Sequence, residues 1–179
     1  METMYIVGYS GVGKTMIGRL IASRKETKFL DTNKSITDKE NKSQNDIVIE
    51  KGEEYFSNLE KLVLKNDVSH GTIVSVGANI PKDEDNRILI KTSGRVLYLR
   101  AKAQTIYDNI KDTYSEIPYL KNNFSVFTVE KKLEEITPYY EELANYIIDV
   151  DGKNVDAIFK EALAIYNYIN KIKYHIYIK

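Results

Sequence analysis

The chain has 179 residues, with 26 Lys plus Arg against 26 Asp plus Glu, two His and no Cys. That length suits one compact domain able to bury roughly two thirds of its unfolded surface, and zero net charge leaves no electrostatic footprint for nucleic acid or an anionic membrane. Without Cys there is no disulfide framework and no thiolate site, so a metal would be held by oxygen atoms, which suits magnesium and not zinc.

The opening METMYIVGYSG lacks the charged start, long apolar run and small-residue cleavage site of a signal peptide. No stretch approaches ~18 apolar residues, so a soluble, cytoplasmic and monomeric protein with no membrane partner is expected. Short apolar runs alternate with segments of helical period, which predicts a parallel sheet covered by helices on both faces. Strands are expected at Met4 to Tyr9, Lys28 to Leu30, Thr72 to Val76, Val96 to Leu99 and Tyr146 to Val150. Between them Lys14 to Ser23 reads as a helix, and Asp46 to Asn66 as one long helix or two, because Gly52 interrupts its period. Helices follow at Gln104 to Lys111, Glu130 to Asn145 and Val155 to Ile172, the last behind an Asn154 cap. Residues 114–128, YSEIPYLKNNFSVFT, have no clean period and read as a loop or lid within one domain spanning residues 1–179. His70 and His175 read as surface histidines. The Lys-rich tail after Ile172 is expected to fray or to end a helix.

GYSGVGKT, residues 8–15, satisfies G-x-x-x-x-G-K-[ST] and stands between a strand and a helix, the context that turns the string into a phosphate-binding loop. Gly8, Gly11 and Gly13 let the backbone curl so that its N–H groups face phosphates, Lys14 puts a compact positive charge on the outer ones, and the Thr15 hydroxyl can ligate magnesium. Val12 and Met16 complete the nucleotide-binding run. A bare strand-to-helix turn would have no use for a Lys after its last Gly. ATP with magnesium is the expected cofactor. Asp31, at a strand's C-terminal end, is a second candidate metal ligand; its competing use is to cap the next helix.

Past this loop the chain resembles the shikimate kinase family of small P-loop phosphotransferases from Met4 to about Ala164. FLDTN (29–33) resembles the family's F-x-D-x-D strand end, and GEEYFSNLE (52–60) its G-E-x-x-F-R-x-x-E helix. GANIPKDEDNRILI (77–90) resembles its Gly-rich acceptor loop and the helix with Asn-Arg, PYYEELA (138–144) its P-x-Y-x-x-x-A, and DVDG (149–152) the strand end near the adenine. The resemblance implies a three-layer α/β/α P-loop NTPase fold with a five-stranded parallel sheet in the order 2-3-1-4-5, a lid segment, and catalytic roles for Lys14 and Asp31.

The departures fall on the acceptor side. Where the family has the second carboxylate of D-x-D this chain has Asn33, which hydrogen-bonds but takes no proton. The helix Arg is Ser57, the Gly triplet is Gly77, Ala78 and Asn79, and the Arg before P-x-Y is Ile136. The lid arginine is Ile117, for which Lys111 or Lys121 could substitute without its fork geometry. In the family two arginines grip the acceptor's carboxylate, so Asn33, Ser57, Gly77, Ala78, Asn79 and Ile136 are the acceptor-site candidates. Lys34 and Lys82 are alternative cations. Glu53, Glu54 and Glu60 read as a solvated acidic helix face, and Glu60 with Asn86 and Arg87 as structural groups.

Three readings share the nucleotide half. The first, adopted here, is a Mg-ATP-dependent phosphotransferase for a small hydroxylated acceptor other than shikimate. The others are a catalytically inactive nucleotide-binding regulatory protein, and a shikimate kinase with a divergent pocket.

Overall fold

A computed structural model describes residues 1–117 and 124–176. Five parallel strands, β1 (Met4–Val7), β2 (Phe29–Asp31), β3 (Ile73–Ser75), β4 (Arg95–Arg100) and β5 (Tyr146–Asp149), pair in the order β2-β3-β1-β4-β5. This is the expected order. β1 and β3 are buried along their whole length, as strands covered on both faces must be. Helix α1 (Lys14–Lys25) and the closing helix α8 (Val155–Ile176) pack together on one face, and α5 (Glu84–Ser93) and α7 (Val126–Leu143) pack against β4 from the other. Among the described residues no helix is long and apolar enough to cross a membrane.

The segment around Gly52 is two helices, α3 (Gln44–Lys51) and α4 (Glu53–Asn66). Gly52 adopts φ 87° and ψ 165°, a conformation open to glycine alone, and its N–H closes α3 on Val48 O at 2.9 Å. Helix α2 (Thr32–Glu40) is absent from the helices read by period, because TNKSITDKE shows almost no apolar period; only the capping use weighed for Asp31 pointed to it. Its start is set by Asp31, which accepts from Lys34 N at 3.1 Å, and its inner face by Ile36, which joins Ile47 of α3 and Val63 of α4 in a small separate core. Around that subcluster, Gln44 and Val48 of α3 and Phe56 of α4 line a cavity at the P-loop end of the sheet. Helix α6 (Ala103–Ile110) stands on the opposite side of the loop.

The expected lid is partly corrected. Tyr114–Glu116 forms a 3-10 turn, while Val126 to Thr128 already belong to α7, capped by Ser125 Oγ accepting from Thr128 N at 3.1 Å. Residues 118–123, with Lys121, lie outside the described residues. The tail continues α8 as far as Ile176.

Candidate active site

β1 ends at Val7, and the chain turns through residues 8–13 into α1, whose N-cap is Gly13. Gly8 has φ 144°, and a side chain there would drive its Cβ to 2.5 Å from Leu99 O on the neighbouring strand, so the turn is possible only without one. Asn109 of α6 fixes the loop from outside by donating Nδ2 to Gly11 O at 2.9 Å. The turn borders a cleft of about 380 Å³ lined by Ser10, Gly11, Lys14, Thr15, Asp31 and Ser75, among others.

Inside it Lys14 Nζ donates to Tyr9 O at 2.8 Å. Desolvation in the cradle lowers the Lys14 pKa to about 8, against the opposing pull of Asp31. Thr15 Oγ1 donates to Asp31 Oδ2 at 2.5 Å and lies 3.3 Å from Ser75 Oγ. The capping use weighed for Asp31 is met by Oδ1, which caps α2, while Oδ2 accepts from Thr15 and faces the cleft. Val12 and Met16 are not among the cleft's lining: Val12 is in the core and Met16 is exposed on α1, leaving them only their backbone groups to offer.

The donor set fits magnesium. One carboxylate and two hydroxyls are hard oxygens in a number suited to an ion that keeps waters and phosphate oxygens as its remaining ligands. Among the described residues no group of three or more His, Cys, Asp or Glu could form an all-protein metal cage. Ser75 is an addition that sequence reasoning missed; its signal was a lone hydroxyl at the end of the apolar run TIVSV, the place where open parallel sheets present ligands.

Replacing Asp31 by Asn keeps the α2 cap, since Asn caps as well as Asp, and removes only the charge. Asp31→Asn and Thr15→Ala are each expected to cut the magnesium-dependent part of ADP affinity by about tenfold or more, with little change in affinity without metal. Calorimetric ADP titrations with and without magnesium read this, and an unchanged metal titration in both variants would remove these residues from the ion.

A second, larger cavity of about 660 Å³ adjoins the cleft, the two sharing Ser10, Asn33, Thr113 and Ile117. Ser57, Ala78, Asn79 and Ile136 line it, so the expected acceptor candidates converge on one space, while Gly77 borders the phosphate cleft. Tyr140 holds the acceptor loop by donating to Ala78 O at 2.8 Å, and Arg87 donates to Pro81 O and Lys82 O. Lys82 and Lys132 also line this cavity, but each is near Glu135, at 3.9 and 3.3 Å. Lys34 pairs with Asp38 and lines neither space, and Lys111 is exposed and lines neither.

The acidic face is exposed at Glu53 and Glu54, as expected, and is corrected at Glu60. Glu60 is only 5% exposed and lines the larger cavity with Glu53. Burial, reinforced by the like charge of Asp83, raises the Glu60 carboxyl to about 8. Its position was readable: Glu60 lies four residues after Phe56 and four before Leu64, on the apolar stripe of α4.

The family model for shikimate kinase matches residues 10–167. The chain belongs to the shikimate kinase family. It is 32% identical over 161 residues to the shikimate kinase of Bacillus cereus strain G9842, covering 90% of this chain and 96% of that one. It is 33% identical over 164 residues to that of a Sulfurihydrogenibium species, covering 91% and 96%. The solved shikimate kinase of Acinetobacter baumannii, in complex with shikimate, superposes with a TM-score of 0.88 over 94% of each chain at 24% identity, a likeness that carries the fold. The protein is a shikimate-kinase-like phosphotransferase of the P-loop class, and its cofactors are ATP and magnesium.

Proposed function

We propose that the protein transfers the terminal phosphoryl group of ATP to a hydroxyl of a small molecule that lacks shikimate's carboxylate. The observation that carries this reading is the lining of the larger cavity, where Ser57 and Ile136 stand where a carboxylate clamp would need arginines. An Arg–carboxylate pair is bidentate and charge-assisted, worth about 1.5–3 kcal/mol for each hydrogen bond. Lys82 and Lys132 replace it poorly: they share Glu135 as a counter-charge and are exposed enough that each pairing contributes about 1 kcal/mol at most. The buried Glu60 adds a carboxyl to the same lining and gives an anionic acceptor no cation to meet.

In this reading Lys14 and the N–H groups of the loop bind the outer phosphates of ATP, and Thr15 and Asp31 hold magnesium, which would neutralise charge on the phosphates as they separate. Asn33, bordering both spaces, orients the attacking hydroxyl. It cannot accept the hydroxyl proton as a base would, but phosphoryl transfer through a loose transition state depends chiefly on position and charge and asks little of a base. Ile117, also shared by both spaces, adds an apolar wall that limits water at the junction.

The test is ADP release with shikimate at millimolar concentration, beside a screen of neutral and aminated polyols. Shikimate is expected to give no turnover above background. Shikimate-dependent turnover at ordinary kinase rates, roughly 1 to 100 per second, would show that the lysines form the clamp after all. Tight nucleotide binding with no acceptor turned over would point instead to a regulatory protein.

A further inference from the structure

The donor half leaves one buried acid unused. Glu60 reaches the larger cavity, and among the described residues no hydrogen bond or cation meets its carboxyl. Asp83, the nearest influence on it, is already satisfied, capping α5 through Asn86 N at 3.1 Å and pairing with Lys61 at 2.7 Å. Ser57, one turn earlier on α4 and lining the same space, offers a hydroxyl and no charge.

A lone acceptor lies on the same wall. Asn33 Oδ1 is buried without a hydrogen-bond partner. Both oxygens crowd the same point, for a methyl group on Gly77 would come within 2.6 Å of Asn33 Oδ1 and 3.2 Å of Glu60 Oε1. A buried acceptor oxygen without a donor is costly, and a carboxyl buried without a cation is held in its neutral form, so a cationic ligand that brings donors to this wall relieves both.

We propose that the acceptor is an amino alcohol whose protonated amine pairs with Glu60 while a neighbouring hydroxyl lies at Asn33, facing the phosphate cleft. This rests on the phosphotransferase reading above and names the class of its substrate. Two oxygens that each lie within 3.2 Å of one point beside Gly77 are within the span of an amine and a hydroxyl on adjacent carbons. The other charged groups on the cavity are Glu53 from α4, Asp83 from the α5 cap, Lys82 from the turn before it and Lys132 from α7; of these the acids favour a cation, and the lysines are neighbours of Glu135. Because burial and the charge of Asp83 hold Glu60 at about 8 in the free protein, an ammonium that drives it to the anion releases a proton on binding near neutral pH.

Calorimetry on the full chain loaded with ADP tests this with three matched probes: 2-aminocyclohexanol, cyclohexane-1,2-diol and 2-hydroxycyclohexanecarboxylate. The amine is expected to bind about thirtyfold or more tightly than the diol, with the hydroxy acid weakest. Its heat should vary with buffer ionisation enthalpy as proton release requires. Glu60→Gln should erase both the preference and the proton release while leaving ADP binding as it was. Ser57→Arg, which gives Glu60 a cation one turn away, should favour the hydroxy acid over the amine. An amine that binds no better than the diol, or a preference that survives Glu60→Gln, overturns the proposal. Binding with this signature but without phosphoryl transfer would support the cavity's preference and count against the phosphotransferase reading, whereas turnover of a neutral polyol without amine binding would do the reverse.

Discussion

Lys14→Ala is expected to remove nucleotide binding and with it all turnover. The loop's N–H groups would remain, but they are dipoles, and Lys14 is the full positive charge lining the phosphate cleft among the described residues. Its ammonium is already inside the cradle, held by Tyr9 O at 2.8 Å, so binding uses it without first ordering a flexible stem. Leaving phosphate charges without that partner costs about 3 kcal/mol or more, over a hundredfold in Kd. The pH dependence separates this from a general loss of shape. Free Lys14 titrates at about 8, and bound phosphates would raise it, so the complex takes up a proton above that pH. Wild-type affinity for ADP should therefore be level below pH 8 and fall above it, and the variant's residual affinity should lack that fall. Equal ADP affinity in the two proteins at pH 7 by calorimetry would show that the lysine does not face the phosphates.

What could be read in advance follows from how local each signal is. The P-loop is a short code in which every residue has its own task, so GYSGVGKT was legible and its glycines stand at positive φ as the curl demands. The strands were legible too, because a sheet buried on both faces writes continuous apolar runs, but their order came from the family resemblance, since hydrophobic pattern carries no information about neighbours. Helix α2 was missed by period because its stability comes from elsewhere: a cap from the preceding strand and one side chain, Ile36, in a core shared with α3 and α4. Glu60 was misjudged for a related reason. Grouping it with Glu53 and Glu54 by charge suggested a solvated face, while grouping it with Phe56 and Leu64 by period would have put it inside. The two criteria disagree where a protein buries a charge, and such places are candidates for function.

That burial has a measurable effect on stability. The Glu60 carboxyl titrates at about 8 in the folded protein against 4.5 as an unperturbed side chain. Between those values the folded state binds more protons than the unfolded one, so this group's contribution to stability is complete below pH 4.5 and is lost as pH rises through 8. Other groups shift the opposite way, Asp83 among them, held low by Lys61 and by its cap. Comparison of wild type with Glu60→Gln isolates the one residue, because distant contributions cancel in the difference. The glutamine keeps the shape, carries no charge, and puts an N–H donor on the wall that holds the unpaired Asn33 oxygen. The variant is expected to match wild type near pH 4.5 and to exceed it by about 2 to 4 kcal/mol above pH 8, a gain of several degrees in Tm. Urea unfolding at the two pH values reads the difference directly. If the variant is instead less stable at both, the carboxylate is being held by a favourable partner in the free protein, and the cavity would have no uncompensated acid with which to select a cationic acceptor.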